Sequence, residues 1–165
     1  THRDRLTAAL RDKRSHVVAL AAATGGARRL HEHPAALPSA SERFFTRPVK
    51  TDPGCAAKAA IAATLDQLDL PDATPFIRGL QHIQLEPSWG PPVDTAAGLR
   101  ARCCLALGRQ LGADVVLALA EALADPLDPV RIAAAQALLA ALLLTQAATR
   151  PRDHSSPRRT KPKLA

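Results

Sequence analysis

The sequence predicts an all-α fold assembled from repeated helical units, on three observations. Apolar residues make up 47% of the 165 positions but aromatic residues only 2%. The apolar mass is therefore mostly Ala and Leu, which favour helix, while residues that favour strands are sparse. Second, an Asp, a basic residue six positions on and a Leu seven further on recur as Asp52/Lys58/Leu65, Asp94/Arg100/Leu107 and Asp125/Arg131/Leu138. Third, each copy runs from an acidic turn into a helical stretch of small residues and Leu. Fixed spacings repeated at intervals of 42 and 31 residues mark an array. No strand is expected between residues 51 and 149.

Residues 1–50 read as an irregular helical segment. Leu6, Leu10, Val17 and Leu20 supply apolar positions along 1–30, and Gly25-Gly26 is placed to interrupt the run. Lys13 and Leu20 keep the base-to-Leu spacing without the Asp, the trace of a degenerate first repeat. Ser39 and Glu42 have capping-box spacing for a short helix carrying Phe44 and Phe45.

The array itself spans 51–149. Pro53 after Asp52 and Pro129 after Asp128 fit an N-cap followed by Pro at the first helical position. Helices are expected over 54–68, about 73–84 (stripe Phe76, Leu80, Ile83), from about Asp94 to near Gly108–Gly112, about 114–124 (Val116, Leu119, Ala120, Leu123 on one face) and about 129–148. Asp69–Asp72 reads as a turn and Glu86–Pro92 as a loop. Residues 150–165, with Pro, Ser and charge but no apolar period, read as a disordered basic tail.

The net charge of +7 is unevenly spread. Residues 1–50 hold 10 Lys/Arg against 4 Asp/Glu, residues 51–149 hold 6 against 10, and the tail holds 6 against 1. A mildly acidic body with basic ends is not the pattern of a uniformly basic nucleic-acid binder. Cys55, Cys103 and Cys104, an odd count with an adjacent pair, fall where the repeats carry small residues; reduced, buried thiols in a cytoplasmic setting are expected. Thr1 to Arg5 are not followed by the apolar core of a secretory leader. The absence of Met points to a fragment or a processed chain.

Each basic residue heads a seam. Arg100, Cys104, Leu107 and Leu111 fall at i, i+4, i+7 and i+11, as do Arg131, Ala135, Leu138 and Leu142, and Lys58, Ala62 and Leu65 begin the same way. A cation in a first helical turn opposes the helix dipole by roughly 0.3–1 kcal/mol and, half buried, needs a partner. The Asp six residues earlier is the expected partner, giving a structural ladder Asp52–Lys58, Asp94–Arg100 and Asp125–Arg131. The arrangement of an acidic turn, Val130-Arg131 and the small residues Ala133 to Ala135, with Ala137-Leu138 after them, resembles the second helix of HEAT repeats, closest to the Ala-rich bacterial kind, across about 52–145. The resemblance implies a right-handed, armadillo-type α-solenoid of stacked antiparallel hairpins that binds other proteins and carries no catalytic residues.

A non-catalytic protein-binding scaffold or adaptor, without cofactor, is the function expected. Trp89, with Glu86 and Ser88, is the candidate contact site, because a Trp in a Pro/Gly-rich insertion is placed to meet a partner; the plainer reading, favoured of the two, is that Trp89 folds back to cover its own repeat. His31-x-His33 is a close pair, better read as a surface loop than a metal site. Cys103 or Cys104 with His82 could form a nucleophile and base, but the Cys lie on an apolar seam and inert packing is the better reading. Some HEAT-like proteins attach or detach bilin chromophores, so an accessory bilin-lyase activity is the alternative that the resemblance alone implies. Weak nucleic-acid binding through the basic ends is a further one, with one Trp and no Tyr to stack bases. Ile132 to Thr149 is uncharged over 18 residues, yet Gln136, Gln146 and its Ala content favour a core helix over a membrane span. Leu138, Leu139, Leu142, Leu143 and Leu144 leave that helix apolar nearly all round, so a further repeat, a self-associating copy or the tail is expected to cover it.

Overall fold

The computed structural model describes residues 2–30, 36–69, 71–110 and 112–149. His31, His33, Leu70, Leu111 and the basic tail lie outside them. The helices are α1 (His2–Leu10), α2 (Ser15–Leu30), α3 (Ala36–Glu42) continued by a 3-10 turn at Arg43–Phe45, α4 (Pro48–Thr51), α5 (Ala56–Leu68), α6 (Thr74–Leu80), α7 (Ala97–Leu107), α8 (Ala113–Ala122) and α9 (Asp128–Thr149). The chain is all-α in class. It departs from the expected absence of strand at one place, where β1 (Leu85–Glu86) pairs antiparallel with β2 (Val93–Asp94), Leu85 opposite Asp94 and Glu86 opposite Val93. Between them Pro87 to Pro92 cannot continue a helix, so the chain closes the insertion as a short hairpin.

Several boundaries differ from expectation for local reasons. The break in the first thirty residues falls at Arg11–Arg14, not at Gly25-Gly26, because the Asp12 carboxylate takes both the Arg14 N–H and its guanidinium at 2.9–3.0 Å. The helix holding the capping-box residues starts at Ala36, ahead of Ser39. The α5 helix opens two residues late. Gly54 (φ 66°) and Cys55 (φ 57°) turn left-handed after Asp52, yet the Asp52 carboxylate still reaches back to accept the Ala57 and Lys58 N–H groups at 2.8 and 3.1 Å. The α6 helix stops at Leu80, so Phe76 and Leu80 are buried but Ile83 is exposed.

Packing follows chain order. α2 lies along α5, α5 along α7 and α7 along α9, while α1 packs on α2, α3 on α5, α6 on α7 and α8 on α9. Small residues set the distances. A Cβ on Gly108 would sit 2.7–2.9 Å from the backbone and Cβ of Ala137, so α7 and α9 touch where only glycine fits. Gly79 likewise faces the Cys103 sulfur across the α6–α7 contact.

Helix phases were only partly anticipated. In α8 the buried face is Val115, Ala118, Leu119 and Ala122, leaving Val116 and Leu123 exposed. Both stripes have a 3.6 period, and the turn entering the helix decides between them. Leu20 is exposed, and α2 buries Val18, Ala21 and Ala22 instead. In α9 the buried positions are Val130, Ala133, Ala134, Ala137 and Ala141, whereas Leu139, Leu142, Leu143 and Leu144 are exposed. Among the described residues α9 is also the one helix long and apolar enough to cross a membrane by length and composition, with 22% of that window buried.

Candidate functional site

The acidic turns and their cations meet, but not as three isolated pairs. Lys58 Nζ donates to Asp52 Oδ2 at 3.0 Å and to the Phe44 carbonyl at 3.2 Å, with neither side chain exposed. Arg100 Nη1 contacts Asp94 Oδ2 at 2.8 Å, and its Nε and Nη2 donate to the two Asp125 oxygens at 2.8 and 3.2 Å. Asp125 therefore serves the cation of the preceding copy. Arg131, expected to hold the Asp125 side chain, donates instead to the Asp125 carbonyl at 2.8 Å and to the carboxylate of Asp128. The reason is competition: the planar Arg100 fork takes both carboxylate oxygens in a buried bidentate contact, leaving the backbone oxygen for Arg131.

Gln84, which the repeat pattern does not mark, joins the first copy to the second. Its buried amide donates to the Asp52 carbonyl at 2.9 Å, and its backbone N–H donates to Asp94 Oδ1 at 3.2 Å. Polar contacts thus run without a gap from Lys58 through Asp52, Gln84, Asp94, Arg100 and Asp125 to Arg131. Burial alone would raise the Asp94 carboxyl, but the N–H groups of Ala96 and Gln84 and the Arg100 guanidinium hold it below the usual carboxylate value. Burial alone would lower Arg100, and its two carboxylates raise it.

The hairpin 85–94 is anchored to this chain of contacts by Glu86. One carboxylate oxygen accepts from the Gly54 N–H at 2.6 Å, Gln84 Nε2 at 2.6 Å and Thr95 Oγ1 at 2.9 Å. Glu86 is thus turned into the fold, not presented as a contact residue. Ser88 is also used internally, donating to the Pro91 carbonyl at 2.7 Å and accepting from the Gly90 N–H at 3.1 Å. Trp89 does not fold back over its repeat; it stands fully exposed at the tip, and Leu85 and Val93 below it are also exposed. A rigid base under an unpacked indole is what sequence spacing could not reveal, since Glu86 carries no motif.

The Gly54 N–H, Gln84 and Thr95 bonds together depress the Glu86 carboxyl below its ordinary 4.5. Its contribution to stability is therefore complete above pH 4.5 and lost as pH falls through the depressed value. Glu86→Gln should cost about 1–3 kcal/mol at neutral pH, and that difference from wild type should shrink steadily below the ordinary value. Thermal melts at stepped pH check this; a constant difference would contradict it.

The thiols are set for packing. Burial pushes Cys103 up to about 12 and Cys104 to about 11, and it also raises Cys55. None is a thiolate at neutral pH. His82 Nε2 lies 3.1 Å from Gln84 Oε1, the same oxygen that Cys55 Sγ approaches at 3.2 Å. Burial lowers His82, favouring the neutral ring. Among the described residues no three His, Cys, Asp or Glu side chains gather as a metal site. No protein family, curated protein or solved structure matches this chain in comparison with known proteins.

Proposed function

We propose that the chain is a short α-solenoid of the HEAT-like kind and works as a non-catalytic scaffold that binds another protein through the hairpin 85–94. The sequential stacking of α2, α5, α7 and α9 supports the solenoid reading, and so does the polar relay that links one acidic turn to the next. The observation that carries the binding reading is Trp89. An indole is among the costliest side chains to leave in water, and this one has no packing to justify its exposure. It stands on a hairpin whose base is tied to the fold by three hydrogen bonds to Glu86, so the backbone that carries it is placed before a partner arrives.

Trp89→Ala should leave the melting temperature within the scatter of surface substitutions, about ±0.5 kcal/mol. A partner that uses the hairpin should lose at least about 2 kcal/mol of affinity, roughly 30-fold in Kd. The check is affinity capture from native extract with both forms, followed by titration of whatever the wild type retains. Equal retention by Trp89→Ala would remove the hairpin as the binding element, and a large fall in melting temperature would return Trp89 to a packing role.

A further inference from the structure

The hairpin 85–94 and a small cavity share one root. The Arg100 guanidinium, 2% exposed, bonds both feet of the hairpin, the His82 carbonyl at 3.0 Å and the Asp94 carboxylate at 2.8 Å. It also lies at the floor of a cavity of about 220 Å³ beside the hairpin. Buried Leu80, Ala118 and Ala122 wall that cavity, and exposed Ile83 and Glu121 stand at its mouth. All of these residues, with the chain neighbours of each, fall within the described segments.

The lining selects an aromatic ring with an N–H. Four of the five Arg100 N–H groups are spent in the guanidinium plane on Asp125, Asp94 and His82, which leaves its flat face to offer a ligand. Aromatic rings stack on that face, indole best of all. The apolar walls suit the rest of the ring. The Glu121 carboxylate, with no hydrogen bond or ion pair among the described residues, suits the indole N–H as an acceptor. An engineered cavity of about 150 Å³ takes benzene, so about 220 Å³ suits the two-ring indole.

The chain carries one ring of that kind. Phe44 and Phe76 are buried, Phe45 is engaged by Arg78 and His82, and Trp89, the single Trp, is fully exposed. We propose that this cavity is the socket for Trp89 of a second copy, so that two copies exchange indoles about a two-fold axis. Trp89 does not reach the socket of its own chain, because the ladder and the Glu86 bonds hold the hairpin with its tip in solvent. Plug and socket rooted on the same Arg100 are what a two-fold axis needs, since the operation that seats one indole seats the other. The inference rests on the hairpin as a binding element and names its partner.

Sedimentation of the full chain over a range of concentrations, read with the emission of its single Trp, tests this. A concentration-dependent dimer is expected, its emission moving to the blue as it forms. Trp89→Ala removes both plugs of a dimer and should weaken association roughly 1000-fold. Glu121→Lys at the mouth and Ala118→Leu in the wall should each weaken it about tenfold or more, in proteins that melt like wild type. Mixing supplies the sharpest arm. Trp89→Ala, which has no Trp of its own, should shift the emission of Glu121→Lys to the blue through the one plug and socket left intact. A chain that stays monomeric would overturn the proposal. So would a dimer indifferent to Trp89 and Glu121, or a Trp already blue-shifted in the dilute monomer. A monomer whose Trp89→Ala form still loses a captured protein would overturn the second copy while keeping the hairpin as a binding element; loss of neither would remove both readings.

Discussion

Arg100→Met should destabilise the protein by about 3–5 kcal/mol, the range for removing one member of a buried ionic network. Methionine fills much of the arginine stem's volume, so the loss is electrostatic more than steric. It leaves Asp94 and Asp125, both mostly buried, facing one another without their cation. The effect should be directional. Amides of α8 and α9 should exchange faster relative to those of α2 and α5, because Arg100 is the side-chain tie between the Asp94 turn and the Asp125 turn. It should also depend on pH with a known sign. Asp94 is held below its ordinary 3.8 in the wild type, so its stabilisation is present above that value and lost as pH falls through the lowered one. The gap between Arg100→Met and wild type should therefore narrow in acid, as measured by denaturant titration at stepped pH.

Asp52→Ala should cost a similar amount, about 3–5 kcal/mol, and clearly more than Lys58→Met at about 1–2 kcal/mol. The asymmetry follows from the partners. Removing Asp52 strands the buried Lys58 ammonium on one carbonyl and also uncaps the Ala57 and Lys58 N–H groups at the start of α5. Removing Lys58 leaves the Asp52 carboxylate with both of those N–H donors. At roughly 2–4 °C per kcal/mol for a chain of this size, the two variants should separate cleanly in thermal melts. Equal losses would mean the pair matters only as a pair and the capping role is idle.

How much of this could be read from the residues differs by level. The helical class and the acidic turns were legible because offsets of six and seven put charge and Leu on one helix face whatever the tertiary context. Lys58 and Asp52 meet because six residues of turn and first helical turn bring them together locally. The Arg100–Asp125 contact spans 25 residues and two elements, so no local spacing announces it. Gln84 and Glu86 were invisible as structural residues for a related reason. Single amides and carboxylates near a helix end are common, and only the fold reveals that these two converge on Gly54, Asp52 and Thr95. The phase of α8 was missed because Ala, Val and Leu on both sides of the helix give two equally good stripes. Trp89 was singled out for its setting, but its exposure depends on the two-residue ladder beneath it, which sequence periodicity is too short to register.

A double-mutant cycle on Arg100 and Asp125, using Arg100→Met, Asp125→Ala and the combination, measures the tie between successive copies with little else in it. If carboxylates from one acidic turn clamp the cation of the copy before it, the two losses should be strongly non-additive, with a coupling energy of at least about 1.5 kcal/mol. Losses that simply add, within about 0.3–0.5 kcal/mol, would mean that alanine and leucine packing sets the stacking and the charged residues merely accompany it.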